Sequence, residues 1–292
     1  MSNLIKATGS VRLPFLSLTV VCLLLGVSSV IFNGTQLDPA LLILVALGGL
    51  SAHASVNLLN EYIDYKSGLD LKTIKTPFSG GSGTLPKYPE AAATVLLLGI
   101  TTLLITVSIG LYLTWLQGLP LFILGLCGVI IILVYTHWIN RWPLICLIAP
   151  GVAFGPIMVT GTELALSNQV TPLALVISLV PFFVVNNLLL LNQIPDIEAD
   201  RSVGRNHFPI RYGAESAFNV FRQFNLLAAI VIISGYLTGL FPALVLIALL
   251  PLIVNSGKVS IDNLENKMKT NALAANATPA LSSLALLIAP VI

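Results

Sequence analysis

The sequence predicts an all-α membrane protein whose nine transmembrane helices form one bundle. Hydrophobic residues make up 56% of the 292 positions, charged residues make up 9%, and the mean hydropathy is +0.95. A soluble domain would carry roughly 25% charged residues. Apolar stretches recur along the whole chain, each near the roughly 20 residues that cross a bilayer as a helix. The composition therefore excludes an ordinary soluble enzyme.

Nine apolar stretches can be delimited in order, and the eighth is short for a bilayer span. We expect them to build one polytopic domain, 1–292, from two weakly similar halves, about 1–140 and 141–292. Each half contains a helix, an acidic cluster and a basic loop, in that order. The predicted spans are 14–32, 40–62, 92–113, 119–137, 143–162, 172–194, 215–238, 241–256 and 272–291.

The charges orient this bundle in the bilayer. All 14 Lys and Arg residues precede the first span or fall in or near alternate connections, whereas the opposite connections carry only Asp38 and Glu163. Because basic loops stay on the cytoplasmic side, the N-terminus is predicted to be cytoplasmic and the C-terminus external, in a bacterial or archaeal plasma membrane. The net charge of +2 is spread over several loops, which does not indicate a nucleic-acid partner.

Two acidic clusters stand out because acids are rare elsewhere. Of the 12 Asp and Glu residues, six lie in segments 60–70 and 196–200. A carboxylate beside lipid is costly, so its presence usually marks a site. Four predicted spans separate the clusters, which places both at the cytoplasmic face. Carboxylates grouped in this way are hard oxygen ligands of the kind that hold Mg²⁺ against a diphosphate.

The spacing within the clusters directs their side chains. Asn60 and Asp64 are four residues apart, as are Asp196 and Asp200, so each pair is predicted to project from one face of a helix. Asn192 is predicted to add a further turn to the second face. These pairs would reach into a central cavity from the cytoplasmic ends of their spans.

The connections that follow the clusters suit a diphosphate. Asp70 follows Gly68 and is expected just beyond a helix end, because glycine favours termination there. Arg and Lys side chains in both loops would complete a clamp, with Arg suited to bidentate phosphate contact. Such a clamp stabilises the charge that develops on a departing diphosphate. A substrate with a diphosphate head and a long apolar tail would fit a site at the membrane surface.

The two clusters resemble the motifs of the UbiA superfamily of intramembrane aromatic prenyltransferases. Asn60, Asp64 and Asp70 resemble its first motif, and Asp196 and Asp200 match its second, Asp-x-x-x-Asp. The resemblance covers nearly the whole chain and implies a nine-helix bundle of the UbiA type around a central cavity. It also implies Mg²⁺-assisted ionisation of a polyprenyl diphosphate, attack by the ring of a small aromatic acceptor, and loss of a proton.

The same resemblance implies roles for individual residues. The four acids of the motifs would be catalytic, and together with Asn60 they would hold the metal. Tyr135 and Thr136 resemble a cavity-lining pair, and the Tyr135 ring would shield the allylic cation. The residues implied to bind substrate are Asn60, Arg12, Lys72, Tyr135, Asn192 and Arg205.

The runs around both motifs look like the menaquinone branch of the superfamily, whose acceptor is 1,4-dihydroxy-2-naphthoate. Two departures stand against that branch: Glu61 occupies a position where Asp is more usual, and His207-Phe208-Pro209 is atypical. Other acceptors therefore stay open, namely 4-hydroxybenzoate, homogentisate, a glycerol phosphate or a porphyrin. A CDP-alcohol phosphotransferase is disfavoured because its Gly-Ala-Arg element is absent, and a transporter because the acids lie at one membrane face.

Overall fold

The computed structural model describes residues 2–73, 75–76 and 79–289, and in this part of the chain the regular structure is helical, without β-strands. Residues 290–291 of the predicted ninth span lie outside the described residues. Nine apolar helical segments follow one another: α1 (Leu16–Phe32), α2 (Pro39–Lys66), α3 (Ala92–Gln117), α4 (Leu119–Val134), α5 (Pro143–Ser167), α6 (Pro172–Asn192), α7 (Phe208–Leu237), α8 (Ala243–Asn255) and α9 (Leu264–Ile288).

Seven of these segments are long and apolar enough to cross a membrane, when α1 is counted with the helical turns that precede it and α9 with the turn at Ile261–Asn263. The other two, α4 and α8, are shorter. With 16 residues, α4 measures roughly 24 Å at 1.5 Å per residue, less than the roughly 30 Å of a hydrocarbon core. Length and composition thus give seven candidate membrane spans among the described residues, and the count of nine stays a prediction.

The helices form a ring in which each segment packs against its neighbour in sequence and α9 returns to α1. Large apolar side chains point outward from several helices, for example Leu97, Leu226 and Leu273, which are 60–70% exposed. A soluble monomer would not show so much apolar surface. Exposed Trp115 lies at one end of the ring and exposed Trp142 at the other, the arrangement expected for aromatic belts at two membrane interfaces.

Helix α2 carries the first acidic cluster and begins at a well-defined cap. The Asp38 side chain accepts a hydrogen bond of 2.8 Å from the Ala40 N–H, and Pro39 occupies the first helical position, where no N–H is needed. The helix ends at Lys66, four residues beyond the predicted boundary. This extension keeps Asp64 within regular helix.

Helix α5 approaches α6 closely through two glycines spaced by four residues. A Cβ on Gly151 would lie 2.3 Å from the Asn186 Nδ2 atom, and one on Gly155 would lie 2.4 Å from the Ser178 carbonyl oxygen. The Gly151 N–H donates a 2.6 Å hydrogen bond to Asn186 Oδ1. Small residues at this spacing are typical of tight helix packing in membranes. The contact fixes α6, at whose end the second acidic cluster begins.

Candidate active site

The first acidic cluster ends a helix and then turns back on itself. Asn60 and Asp64 lie on the last two turns of α2, and Asp64 is buried. Gly68 adopts φ 78°, a left-handed conformation that glycine tolerates, and ends the helix as predicted. Asp70 follows in a single 3₁₀ turn, Leu69–Leu71, and so approaches the site from a different direction.

The prediction of one continuous helical face for the second cluster is wrong. Helix α6 ends at Asn192, and a short helix, Ile197–Ser202, begins after a turn that contains Pro195. Proline has no N–H to continue the helix, which explains the break. Asp196 precedes the short helix, and its carbonyl oxygen accepts a 2.8 Å hydrogen bond from the Asp200 N–H. The two acids therefore stay on one turn, but Asn192 belongs to another helix.

Arg205 joins the two clusters. Its guanidinium donates one hydrogen bond to Asp64 and another, of 2.9 Å, to Asp200 Oδ1. All three side chains are at least four-fifths buried. Burial alone would lower the pKa of Arg205, but the charges of Asp64 and Asp200 outweigh burial and raise this pKa. The guanidinium is thus charged, and it holds carboxylates from both halves of the chain at one point.

His207 is a site residue that the sequence reasoning did not select. Its Nε2 atom lies 2.8 Å from Asp200 Oδ2, on the opposite side of that carboxylate from Arg205. The imidazole is 1% exposed. Because a carboxylate accepts hydrogen bonds, Nε2 must carry the proton in this contact. The signal was present in the sequence as the atypical His207-Phe208-Pro209, which was interpreted there as an argument about substrate alone.

The glycine-rich segment 79–83 crosses the site and is fixed by acids from both clusters. The Gly80 N–H donates to Asp196 Oδ2 at 3.1 Å. Ser82 donates to Glu61 twice, from its N–H at 3.0 Å and from its hydroxyl. A Cβ on Gly81 would lie 2.8 Å from Asp70 Oδ1, so the backbone passes directly over that carboxylate. Glu61, treated above as a departure from the motif, is therefore the anchor of this segment.

Two of the acids in the loops have raised pKa values. Burial, reinforced by the charges of Glu61 and Asp64, raises the pKa of Asp70 to about 8. Burial and the Asp200 charge raise the pKa of Asp196 to about 6, although the hydrogen bond from Gly80 acts in the opposite direction. Burial, and to a smaller extent the neighbouring carboxylates, thus disfavour the charged forms of Asp70 and Asp196, and a cation bound beside them would favour those forms.

Most of the predicted residues line one cavity of about 450 Å³. It begins at the two clusters and continues between α2, α3, α4 and α5. The structure brings to its wall Arg12, Asn60, Asp64, Tyr135, Asn192, Asp196, Asp200 and Arg205, together with His207, Gly80 and Gly81. Asp70 lies behind Gly81 rather than on the wall. Lys72 is not brought to the cavity, because its ammonium donates to the Ser202 hydroxyl at 3.2 Å and ties the two loops together.

Local contacts position the residues on the remaining sides of the cavity. Asn60 Nδ2 donates to Thr136 Oγ1 at 3.1 Å, which links α2 to the end of α4 beside Tyr135. Arg12 adopts φ 57°, an uncommon conformation for a residue other than glycine, and stacks its guanidinium 4.7 Å from the centre of the Phe15 ring. The N-terminal segment thus places the Arg12 guanidinium on the cavity wall that the two acidic clusters also line.

The donor atoms fit Mg²⁺ bound together with a diphosphate. Within the described residues, no group of three or more His, Cys, Asp or Glu side chains is arranged as a ready metal cage. Mg²⁺ does not require one, since it is usually held by one or two carboxylates with waters and substrate phosphates. Asp70 Oδ2 and Asn192 Oδ1 are buried and have no hydrogen-bond partner among the described residues. Hard oxygens that lack partners are suitable for such a site.

The family model described as the UbiA prenyltransferase family matches residues 15–277. The chain belongs to this family. A curated relative, the 1,4-dihydroxy-2-naphthoate octaprenyltransferase of Bacillus subtilis (strain 168), is 26% identical over 230 residues, which are 77% of this chain and 71% of the relative. The chain is therefore a prenyltransferase, as the two acidic motifs predicted.

Solved structures of UbiA homologs share the fold. The apo structure of a homolog from Aeropyrum pernix K1 superimposes with a TM-score of 0.68 at 17% identity, over 94% of this chain and 98% of that one. A homolog from Archaeoglobus fulgidus, bound to DMAPP and Mg²⁺, gives 0.62 at 16% identity, over 96% and 99%. At these identities the comparison establishes the architecture, an all-helical UbiA bundle.

Proposed function

We propose that this UbiA prenyltransferase transfers the prenyl group of a polyprenyl diphosphate to 1,4-dihydroxy-2-naphthoate, in a reaction that requires Mg²⁺. The observation that carries the proposal is the double contact of Arg205 with Asp64 and Asp200. It joins acids that are far apart in sequence at one end of an apolar cavity. That arrangement suits a substrate with an anionic head and an apolar tail.

Different side chains would bind the metal ion and the phosphate oxygens of the diphosphate head. Asp64, Asp70, Asp196 and Asp200, with Asn60, would hold Mg²⁺, which when bound supplies the positive charge that offsets diphosphate against these carboxylates. Arg205 and Arg12 would bind phosphate oxygens directly, since a guanidinium offers paired donors. Fixed donors of this kind stabilise the charge that collects on diphosphate as the allylic carbon–oxygen bond breaks.

The cavity suits a long prenyl tail. Its wall follows α2 from Asp64 to Leu44, about 20 residues or roughly 30 Å along the helix. Glycines widen it, because a Cβ added at Gly110 or Gly125 would meet no atom within 4 Å. Tyr135 lies on the wall near the acids, where its ring would stabilise a carbocation and exclude water.

The choice of acceptor rests on the relative and on the motif sequences. The Bacillus subtilis relative is named for 1,4-dihydroxy-2-naphthoate, and the runs around Asp64 and Asp196 look like that branch. The distribution of Lys and Arg supports a site that faces the cytoplasm and, with α4 and α8 included, nine spans. Menaquinone synthesis is the pathway that this acceptor implies.

The test is a transfer assay with membranes that contain the protein, one labelled polyprenyl diphosphate and a panel of aromatic acceptors. We expect product with 1,4-dihydroxy-2-naphthoate in Mg²⁺, none in excess chelator, and recovery when Mg²⁺ is restored. Undiminished transfer in chelator would contradict the metal requirement. Product with 4-hydroxybenzoate alone would contradict the acceptor and leave prenyl transfer intact.

The pH dependence of the Mg²⁺ requirement gives a separate prediction. A proton competes with Mg²⁺ for a carboxylate, and the raised pKa values are about 6 for Asp196 and about 8 for Asp70. Half-saturating Mg²⁺ should therefore decrease as the pH rises from 6 to 9. In the Asp70→Asn variant the decrease above pH 7 should disappear, measured by Mg²⁺ titration of turnover at each pH. The same titration curve in both proteins would show that Asp70 does not bind the metal.

A further inference from the structure

His53 is a polar side chain near the middle of α2, at a depth where the wall of the central cavity is largely apolar. It precedes Asn60 by seven residues, which is roughly 10 Å along the helix from the acidic clusters. The imidazole is 7% exposed and lines the cavity. Ionisable side chains at such a depth usually face a cavity and mark a site. The proposed function makes no use of His53.

A hydrogen bond to α1 accounts for only one of the two ring nitrogens. His53 Nδ1 lies 2.7 Å from Thr19 Oγ1, and Thr19 is fully buried. The Thr19 hydroxyl makes no other hydrogen bond to a described residue, so it is satisfied as a donor when it donates to Nδ1. The proton of the neutral imidazole is then on Nε2. A histidine that only joined two helices would not need this second nitrogen.

The Nε2–H group is left as a hydrogen-bond donor for a ligand in the cavity. Nε2 has no partner among the described residues, and it is not closed off by them. Phe154, which also lines the cavity, packs edge-on against the imidazole, with ring centroids 5.0 Å apart and planes at 79°. A donor beside an aromatic ring suits a flat ligand that carries an oxygen atom.

The cavity has two different sides around α2. Gly49, one turn before His53, faces α1, because a Cβ there would lie 3.1 Å from a side-chain atom of Leu23. On the other side, α3 and α4 contribute the open positions Gly110 and Gly125. An apolar tail can pass along α3 and α4. The side formed by α1 and α5 is then left for a ring with polar substituents.

The two proposed substrates differ in what they offer to this donor. The polar atoms of a prenyl diphosphate are all in its head, which the acidic clusters would hold at the end of the cavity. Its hydrocarbon tail has no hydrogen-bond acceptor. An aromatic acceptor with two hydroxyls on opposite sides of its ring can place one hydroxyl near the allylic carbon and extend the other toward α1.

We infer that His53 Nε2–H donates a hydrogen bond to the ring oxygen of the acceptor that is remote from the diphosphate. His53 thereby selects acceptors with two ring oxygens in para positions over those with one. The inference rests on the proposed function and adds to it a residue that determines acceptor specificity. A site that hydrogen-bonds an oxygen rejects the analogue that lacks it, because its own buried donor is then left unpaired.

The test compares 1,4-dihydroxy-2-naphthoate with 1-hydroxy-2-naphthoate, which lacks the second hydroxyl, in a transfer assay at saturating prenyl donor. For the wild type, the inhibition constant of the monohydroxy compound should exceed the KM of the dihydroxy compound by about tenfold or more, because one hydrogen bond is missing. In His53→Leu this KM should rise to about the inhibition constant, which itself stays the same. The KM of the prenyl donor should change by less than about twofold.

Two further variants serve as controls. His53→Gln keeps an N–H near the position of Nε2 and should retain most of the discrimination between the two naphthoates. His137→Gln changes an exposed histidine that does not line the central cavity, and it should leave all three constants unchanged.

The outcomes separate a specificity role from a packing role. Undiminished discrimination in an active His53→Leu protein would overturn the inference, as would a wild type that does not discriminate. Equal weakening of both naphthoates would assign His53 to packing alone. If His53→Leu does not accumulate in the membrane, Thr19→Val decides, since it keeps the imidazole but no longer fixes its tautomer: discrimination should decrease, and full discrimination would contradict the inference. A wild type inactive with every aromatic acceptor would instead overturn the proposed function.

Discussion

Replacing Asp64 by asparagine is expected to reduce prenyl transfer by a factor of about 100 to 1,000 or more, the scale seen when one preorganised electrostatic group is removed from an active site. Asparagine preserves the shape of the side chain but removes its charge. Asp64 is one of the two carboxylates on Arg205, so the change affects both the proposed metal site and the position of the guanidinium. Turnover should be measured at saturating Mg²⁺ and both substrates.

The protein should remain folded in this variant, because Arg205 keeps its 2.9 Å contact with Asp200. The amount of protein in the membrane and its unfolding temperature serve as the check. Asp262→Asn is the matched control, since Asp262 is exposed in the loop before α9 and has no ion pair among the described residues. An Asp64→Asn protein that turned over within tenfold of the wild type would remove Asp64 from the catalytic site.

The positions of the long helices were predictable, because they follow from the local composition of the chain. Apolar length located all seven long helices, and Gly68 correctly ended α2. Boundaries were less accurate where a polar residue continues a helix. Helix α2 continues past its predicted end at residue 62 through Asp64, which lies on the cavity wall and pairs with Arg205 rather than facing lipid. Helix α5 continues through Pro150 and Pro156 by adopting π-helical turns at Ala153–Thr160, which hydropathy does not reveal.

The acids of the site were visible in the sequence because acids are so rare in this chain. The contacts that these acids make with other side chains were not visible. Arg205 was one of several basic loop residues, and its contact with Asp64 spans 141 positions. Such a contact depends on how two loops fold over the bundle, which no spacing rule describes. The anchoring of Ser82 by Glu61 and the contact of His207 with Asp200 were missed for the same reason.

Replacing Arg205 by glutamine is expected to abolish transfer and also to destabilise the protein by about 3–5 kcal/mol. The variant leaves Asp64 and Asp200 facing each other without the cation that both now contact. Their side chains are 12% and 4% exposed, so water cannot replace the guanidinium effectively. Arg201→Gln is the control in the same loop, because Arg201 is 54% exposed and pairs with an exposed Glu198. A change within about 1 kcal/mol is expected there.

The response to Mg²⁺ distinguishes a metal-binding role of Asp64 and Asp200 from a purely structural one. If the two carboxylates form a cation site, Mg²⁺ with diphosphate should raise the unfolding temperature of the Arg205→Gln variant more than that of the wild type, since the metal ion takes over the charge that the guanidinium supplied. The measurement is thermal unfolding in detergent, with and without Mg²⁺ and diphosphate. Equal stabilisation of both proteins would mean that Asp64 and Asp200 serve Arg205 rather than a metal, and that the Mg²⁺ site must be sought among Asp70, Asp196 and Asn192.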